Sequence, residues 1–70
     1  MNLKIGRTIK RQRKLRDMTL TDLANKSGIS KGLLSRIENY QDQNPSLNTL
    51  VKVANAFRIP ASTLLWYAKL

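Results

Sequence analysis

The chain has 70 residues, and its 13 Lys and Arg residues outnumber its 4 Asp and Glu residues to give a formal net charge of +9. A chain of this length buries too little surface to enclose a deep active-site cavity. It contains no His and no Cys, so it lacks the commonest general base, a thiolate nucleophile and the usual zinc ligands. We therefore expect no enzyme activity, no cofactor and no metal.

The composition also bears on the location of the protein. Hydrophobic residues make up 41% of the chain, which is enough for a folded core and unlike a disordered basic tail. No stretch has the length of an apolar membrane span, and the N-terminus lacks the pattern of a signal peptide. We expect one domain over residues 1–70, a cytoplasmic location and no membrane partner.

Apolar residues recur at helical spacing along the chain, and no stretch alternates as a β-strand would. Turn-forming residues such as Gly28 and Pro45 interrupt this spacing. The pattern predicts an all-α domain. The predicted helices span residues 3–16, 20–27, 31–39, 47–57 and 61–68.

The first predicted helix has two unlike faces. Ile5, Ile9 and Arg13 share one face at the helical period. The opposite face is basic, and it is either a phosphate-binding stripe or an ordinary solvated surface. Its residues are Lys4, Arg7, Lys10, Arg11 and Lys14.

Residues 20–39 have the spacing of a helix-turn-helix. Thr19 followed by Asp22 is typical of a capping box at the start of the second helix, and Ser30 is the predicted cap of the third. Gly28 lies between the two helices, where a residue without a β-carbon takes the left-handed conformation that ends a helix.

Residues spread over nearly the whole chain match the pattern of one known family. They are Ile5-Gly6, Ile9, Arg13, Met18-Thr19, Asp22-Leu23-Ala24, Gly28-Ile29-Ser30, Leu34-Ser35, Ile37-Glu38-Asn39, Asn44-Pro45-Ser46-Leu47, Leu50 and Ala54. On these residues the sequence resembles the phage-repressor and Cro-type helix-turn-helix family, also called the xenobiotic-response-element type. The resemblance implies a compact five-helix, lambda-repressor-like domain that binds operator DNA as a two-fold dimer.

Four positions depart from the family pattern, and one of them is Gln12, which stands where the family often has an apolar residue. Asp17 and Tyr40 stand where the family commonly has Gly, and Leu20 replaces a Gln that anchors a DNA phosphate in many members. The resemblance therefore implies that this phosphate contact comes from the backbone or from a neighbour such as Thr21.

The third helix is the recognition helix that the resemblance implies. Leu34 and Ile37 mark its inward face, so its other side meets the major groove. The residues expected to contact bases are Lys31, Gly32, Ser35 and Arg36. Arg pairs bidentately with guanine, Lys reaches guanine or a phosphate, and Ser discriminates little. The alternative is that Lys31 and Arg36 are solvated surface charges, and for Leu33 we favour packing over contact with a thymine methyl group.

Phosphate contacts are expected at helix N-termini and along the basic face of the first helix. Free N–H groups at a helix N-terminus favour an anion, and Ser30 and Ser46 are predicted caps. The resemblance adds the loop before the fourth helix, which reaches the DNA backbone in related domains. The residues expected to contact phosphates are Arg7, Arg11, Thr21, Ser30, Gln43, Asn44 and Ser46.

Arg13 lies on the apolar face of the first helix, so its charge needs a partner. The resemblance implies that the partner is Glu38, because the family has an internal Arg–Glu ion pair at these two positions. The alternative is that Arg13 and Glu38 are independent surface charges.

The C-terminal segment concentrates apolar and aromatic side chains, which are enriched in the cores of protein interfaces. We predict a homodimer through the fifth helix. The predicted interface residues are Leu64, Trp66, Tyr67 and Leu70. In the alternatives, Trp66 and Leu70 cover the protein's own core, or the segment continues into a longer regulator.

The sequence as a whole predicts a transcriptional regulator of the repressor type that binds double-stranded DNA. As a homodimer it would read a pseudo-palindromic operator through two recognition helices. One alternative is an antitoxin or anti-repressor that docks a partner protein through the C-terminal apolar patch. RNA binding is a third reading, but the signatures of common RNA-binding modules are absent from the sequence.

Overall fold

The computed structural model describes residues 4–39 and 45–69, and five α-helices account for most of them. The helices are α1 (Ile5–Leu15), α2 (Leu20–Ser27), α3 (Lys31–Glu38), α4 (Leu47–Ala56) and α5 (Ala61–Lys69). The predicted all-α class and the order of the helices are confirmed. Gln43, Asn44 and Leu70, which carry predicted contacts, lie outside the described residues.

α1 ends one residue earlier than predicted, because a left-handed residue follows it. Asp17 has a φ of 53°, a conformation that Asp tolerates better than most residues. The N–H of Met18 donates to the carbonyl oxygen of Arg13 at 3.1 Å, and the N–H of Asp17 donates to that of Lys14 at 3.0 Å. This pair of bonds is a Schellman motif. Asp17 therefore performs the turn for which the related family commonly uses Gly.

α4 ends with the same motif, again without glycine. Arg58 has a φ of 59°. Its N–H donates to the carbonyl oxygen of Asn55 at 3.0 Å, and the N–H of Ile59 donates to that of Ala54 at 3.0 Å. The helix therefore stops at Ala56, one residue before the predicted end.

The starts of α2, α3 and α4 follow from their caps. Thr19 accepts from the N–H of Asp22 at 3.0 Å, while the Asp22 carboxylate accepts from the N–H of Thr19 at 2.9 Å, which is the predicted capping box. The bond from the Thr19 N–H lowers the pKa of Asp22 below its usual value. Ser30 accepts from the N–H of Leu33 at 3.2 Å, and Ser46 accepts from that of Thr49 at 3.1 Å. Each bond satisfies a helix N–H that has no partner within the helix.

The core is built from every described helix and is almost entirely aliphatic. α3 packs against both α1 and α2, α5 packs against α1 and α4, and α4 also contacts α2. The largest fully buried side chains are those of Ile9, Leu23, Leu34, Ile37, Val53 and Leu64. α3 contributes two of these side chains, and its inward face packs against α1 on one side and α2 on the other.

α1 and α3 approach each other closely at Gly6. A β-carbon added to Gly6 would overlap the carbonyl oxygen of Ile37 on α3. The contact is between backbones, so a larger side chain has no space into which it can turn. Within residues 4–39 and 45–69, no helix is long and apolar enough to cross a membrane.

Substitution of two glycines tests the close approach of α1 and α3 at Gly6. Gly6→Ala is expected to lower the free energy of unfolding by about 1–3 kcal/mol or more, because α1 must shift away from α3. Gly32→Ala is the matched control, since an added β-carbon there meets no atom within 4 Å. The control should leave the free energy of unfolding unchanged or raise it by up to about 1 kcal/mol. Urea denaturation followed by circular dichroism measures both changes, and equal effects would contradict the close approach.

Candidate nucleic-acid interface

α2 and α3 are joined by a tight turn whose geometry fixes the direction of α3. Gly28 is left-handed with a φ of 75°, and its N–H donates to the carbonyl oxygen of Ala24 at 2.9 Å. The N–H of Ile29 then donates to the Oγ of Ser27 at 3.2 Å. With Ile29 buried, the turn is anchored in the core and α3 leaves it in one direction.

α3 has one buried side and one exposed side. Leu34, Ile37 and Glu38 are buried, whereas Lys31, Gly32 and Arg36 are exposed. Leu33 is half-buried and packs against the core, which agrees with the packing role favoured from the sequence. The predicted base-contacting residues therefore lie together on the outer surface of α3, with Ser35 half-buried at its edge.

Ser35 has a neighbour that the sequence analysis did not assign to the site. The side-chain amide of Asn39 donates to the Oγ of Ser35 at 3.2 Å. A hydroxyl has one hydrogen and two lone pairs, so this bond occupies one lone pair and leaves the hydrogen available to an acceptor. Residues four positions apart lie on the same side of a helix, so the spacing of Ser35 and Asn39 is the sequence signal that could have identified this pair.

Arg13 and Glu38 join α1 to the end of α3. The Nε of Arg13 donates to Oε2 of Glu38 at 2.9 Å, and Nη2 donates to Oε1 at 3.0 Å. The remaining Nη1 donates to the carbonyl oxygen of Met18 at 2.8 Å. The two side chains are 12% and 5% exposed, and the hydrogen bonds to Glu38 raise the pKa of Arg13 despite its partial burial. The structure thus contains the ion pair that the resemblance implied.

Arg16 is a second internal cation, and the sequence analysis missed it. Its Nη1 donates to the carbonyl oxygen of Gln12 at 3.0 Å and to the Gln12 side chain at 2.7 Å. The guanidinium carbon lies 4.8 Å from the centre of the Phe57 ring, which is a cation–π arrangement. Because Phe57 is 41 positions away in the sequence, no local pattern could reveal this contact.

The other cations of the first helical segment remain exposed. Lys4, Arg7, Lys10, Arg11 and Lys14 are exposed, and α1 contains no acidic residue. Four of them, with Leu15, line an open depression of about 400 Å³. With Arg13 and Arg16 turned inward, these five form the positive surface of α1.

The predicted phosphate contacts that the structure describes lie at helix starts or on α1. Thr21 is exposed in the first turn of α2, and Ser30 and Ser46 are the exposed N-caps of α3 and α4. Arg7 and Arg11 lie on the outer surface of α1. Helix N-termini offer free N–H groups to an anion, so these positions suit a phosphate backbone that runs past α3.

The predicted dimer interface needs one correction. Leu64 is 0% exposed and belongs to the core, where α5 packs against α1 and α4. Its assignment to an interface was wrong, because the sequence alone did not indicate which side of this largely apolar helix faces inward. Trp66 is 57% exposed, and Tyr67 is half-buried with its ring centre 6.0 Å from that of Trp66.

Comparisons with known proteins all point to helix-turn-helix regulators. The family model described as Helix-turn-helix matches residues 9–64. The transcriptional regulator SinR of Bacillus subtilis is 41% identical over 61 residues, which are 87% of this chain and 55% of that protein. The immunity repressor of Bacillus phage phi105 is 42% identical over 60 residues, which are 86% of this chain and 41% of that protein. The chain therefore spans about half the length of these relatives.

Solved structures agree with the sequence matches. A crystal structure of SinR in complex with DNA has a TM-score of 0.81 and 41% identity to this chain, and the match covers 87% of this chain and 97% of that one. The complex of SinR with SinI has a TM-score of 0.80 and 40% identity, with coverage of 86% and 58%.

A double-mutant cycle tests the Arg13–Glu38 pair. Arg13→Met and Glu38→Leu are each expected to lower the free energy of unfolding by about 3–5 kcal/mol, because each leaves a largely buried charge without its partner. The double variant should lose clearly less than the sum of the two. Arg11→Met, an exposed cation on the same helix, is the control and should change stability by no more than about 0.5 kcal/mol. Strictly additive losses in urea denaturation would contradict the coupling.

Proposed function

Because this chain belongs to the helix-turn-helix family, we propose that it is a DNA-binding transcriptional repressor that reads an operator through α3. The observation that carries the proposal is the division of α3 into a buried apolar side and an exposed basic side. SinR, with which the chain shares this fold, has been crystallised with DNA. DNA binding requires no catalytic group. We propose that the protein is located in the cytoplasm, together with the DNA that it binds.

Base recognition falls to the exposed side of α3. Arg36 is expected to pair with the O6 and N7 atoms of a guanine, and Lys31 with a guanine or a phosphate. Ser35, held by Asn39, offers its hydroxyl hydrogen to a base acceptor. At Gly32 the absence of a side chain lets the DNA approach the helix closely.

Contacts with phosphates position α3 without reading sequence. They are expected from the exposed helix starts at Thr21, Ser30 and Ser46, and from Arg7 and Arg11 on α1. Gln43 and Asn44 are expected to add contacts from the segment before α4. Such contacts release counterions, so the affinity should fall steeply as salt rises.

The repressor is expected to act as a homodimer joined through α5. Trp66 supports this proposal, because a large exposed aromatic side chain beside a second aromatic ring is typical of an interface core. Tyr67 and Leu70 complete the expected interface. The dimer would set two recognition helices about 34 Å apart, one turn of DNA, on a pseudo-palindromic site.

Two substitutions separate base recognition from backbone contact. Arg36→Ala should weaken operator binding by about 1–3 kcal/mol and relax the preference at one base pair. Arg7→Ala should weaken binding to operator and random DNA alike, and reduce the slope of log affinity against log salt by about one. Fluorescence anisotropy at several salt concentrations measures both, on an operator selected from genomic fragments.

Lys69→Ala is the control for this experiment, since it removes one exposed charge from the last residue of α5. It should change the salt slope far less than Arg7→Ala. Equal losses on operator and random DNA for Arg36→Ala would contradict base reading. Failure of the unmodified protein to bind any genomic fragment at physiological salt would overturn the proposed function.

Trp66→Ser tests the dimer. Sedimentation equilibrium should show a weaker dimer, whereas the free energy of unfolding of the isolated subunit should change little, because the side chain is 57% exposed in one subunit. Leu15→Ser is the matched control, since Leu15 is 70% exposed but lies on α1, and it should leave the dimer intact. A dimerisation constant that Trp66→Ser does not change would contradict the interface and would favour a different protein partner for this surface. A structure of SinR in complex with the protein SinI has been solved.

A further inference from the structure

The exposed cations of α1 are not equivalent, because only one edge of α1 adjoins the recognition helix. Two residues of α1 define that edge. Gly6 lies against the carbonyl group of Ile37, and Arg13 is bonded to Glu38. Both contacts are with the end of α3.

Lys10 lies on the same edge as these two residues. It follows Gly6 by four positions and precedes Arg13 by three, and residues at such separations are neighbours on one side of a helix. At 100° per residue, Lys10 is within roughly 60° of both. Arg11 is roughly 140–160° from them around α1, so the phosphate contact expected of Arg11 lies farther from α3. The exposed Lys10 ammonium therefore emerges beside α3.

Lys14 lies one helical turn beyond Lys10, toward α2, and about 40° from it around α1. It is exposed in the last turn of α1, and its carbonyl oxygen accepts the N–H of Asp17 in the turn that leads to α2. The neighbouring Arg13 donates to Met18 in the same turn. Lys14 therefore lies at the end of α1 that leads into α2, and Thr21 is exposed in the first turn of α2.

We propose that Lys10 and Lys14 bind the phosphate backbone of the duplex that α3 reads, on the strand that passes between α1 and the start of α2. This inference rests on the proposed function and adds two residues that the sequence analysis left as part of a general basic face. Two cations one turn apart match a run of successive phosphates, and their contact is independent of base sequence. They therefore set affinity and its salt dependence, while α3 sets the choice of operator.

The test compares two double variants with the same loss of charge. Lys10→Gln/Lys14→Gln should reduce the slope of log affinity against log salt by about two, since each phosphate contact contributes about 0.9. The ratio of operator affinity to random-DNA affinity should stay within about twofold of its original value, because neither lysine reads a base. Lys10→Arg/Lys14→Arg should keep the original slope.

The matched control is Lys4→Gln/Lys69→Gln. Both of its residues are exposed. Lys4 is the N-cap of α1 and Lys69 is the last residue of α5, so neither belongs to the Lys10–Lys14 pair and the slope should change by much less than one. Urea denaturation of each variant shows whether the fold is retained. An equal reduction of the slope in both double variants would overturn the inference, because it would indicate a diffuse field of charge in place of two contacts. An unchanged slope for Lys10→Gln/Lys14→Gln would also overturn it.

The two proposals fail in different ways. If the unmodified protein binds its operator in an Arg36-dependent manner but ignores the loss of Lys10 and Lys14, only this inference fails. If the unmodified protein binds no operator, the proposed function fails first.

Discussion

The position of the recognition helix depends on one junction, at which α1 meets the end of α3. Two features create it: the backbone contact at Gly6 and the three hydrogen bonds of Arg13. The guanidinium group is a rigid fork, so its two bonds to Glu38 fix an orientation as well as a distance. Its third bond, to Met18, ties the same group to the turn that starts α2. One side chain therefore holds both helices of the helix-turn-helix against α1.

This junction also decides which charges are available to a ligand. Seven of the 13 cations lie between Lys4 and Arg16, and the fold uses Arg13 and Arg16 internally. The remaining five are exposed, four on α1 and Lys4 at its N-cap, and only those beside the junction adjoin α3. A count of positive charge thus overstates the number that can contact one duplex, because helix geometry separates the cations by direction.

Local rules account for most of the fold. Helix caps at Thr19, Ser30 and Ser46 involve partners only three positions away, so the sequence was enough to predict where three helices begin. Asp17 was identified as a departure from the family pattern, yet the left-handed turn forms around it, because a Schellman motif needs a backbone conformation and Asp can adopt it. Predictions of this kind succeed when all the interacting groups lie within one turn of chain.

Which side of a helix faces the core was harder to predict from the sequence. Leu64 and Trp66 both lie in a short apolar helix, and only packing against α1 and α4 determines that Leu64 faces inward and Trp66 outward. The contact of Arg16 with Phe57 has the same origin, since it joins the end of α1 to the end of α4. In a small domain the exposed and buried sides of a helix depend on neighbours that are distant in sequence. Of the candidate site, the α3 residues could be predicted, because Leu34 and Ile37 mark the buried side by their spacing alone.

On the proposed function, affinity and specificity come from different parts of one rigid unit. The exposed side of α3 carries only two cations, Lys31 and Arg36, and a helix of eight residues presents few other side chains to a groove. Two such helices in a dimer would lengthen the site that is read, whereas cations on α1 raise the affinity for any sequence. Because the Arg13–Glu38 pair fixes α1 relative to α3, one docked orientation of this unit serves both the phosphate contacts of α1 and the base contacts of α3. The contacts made by α1 therefore add affinity for the duplex without carrying sequence information.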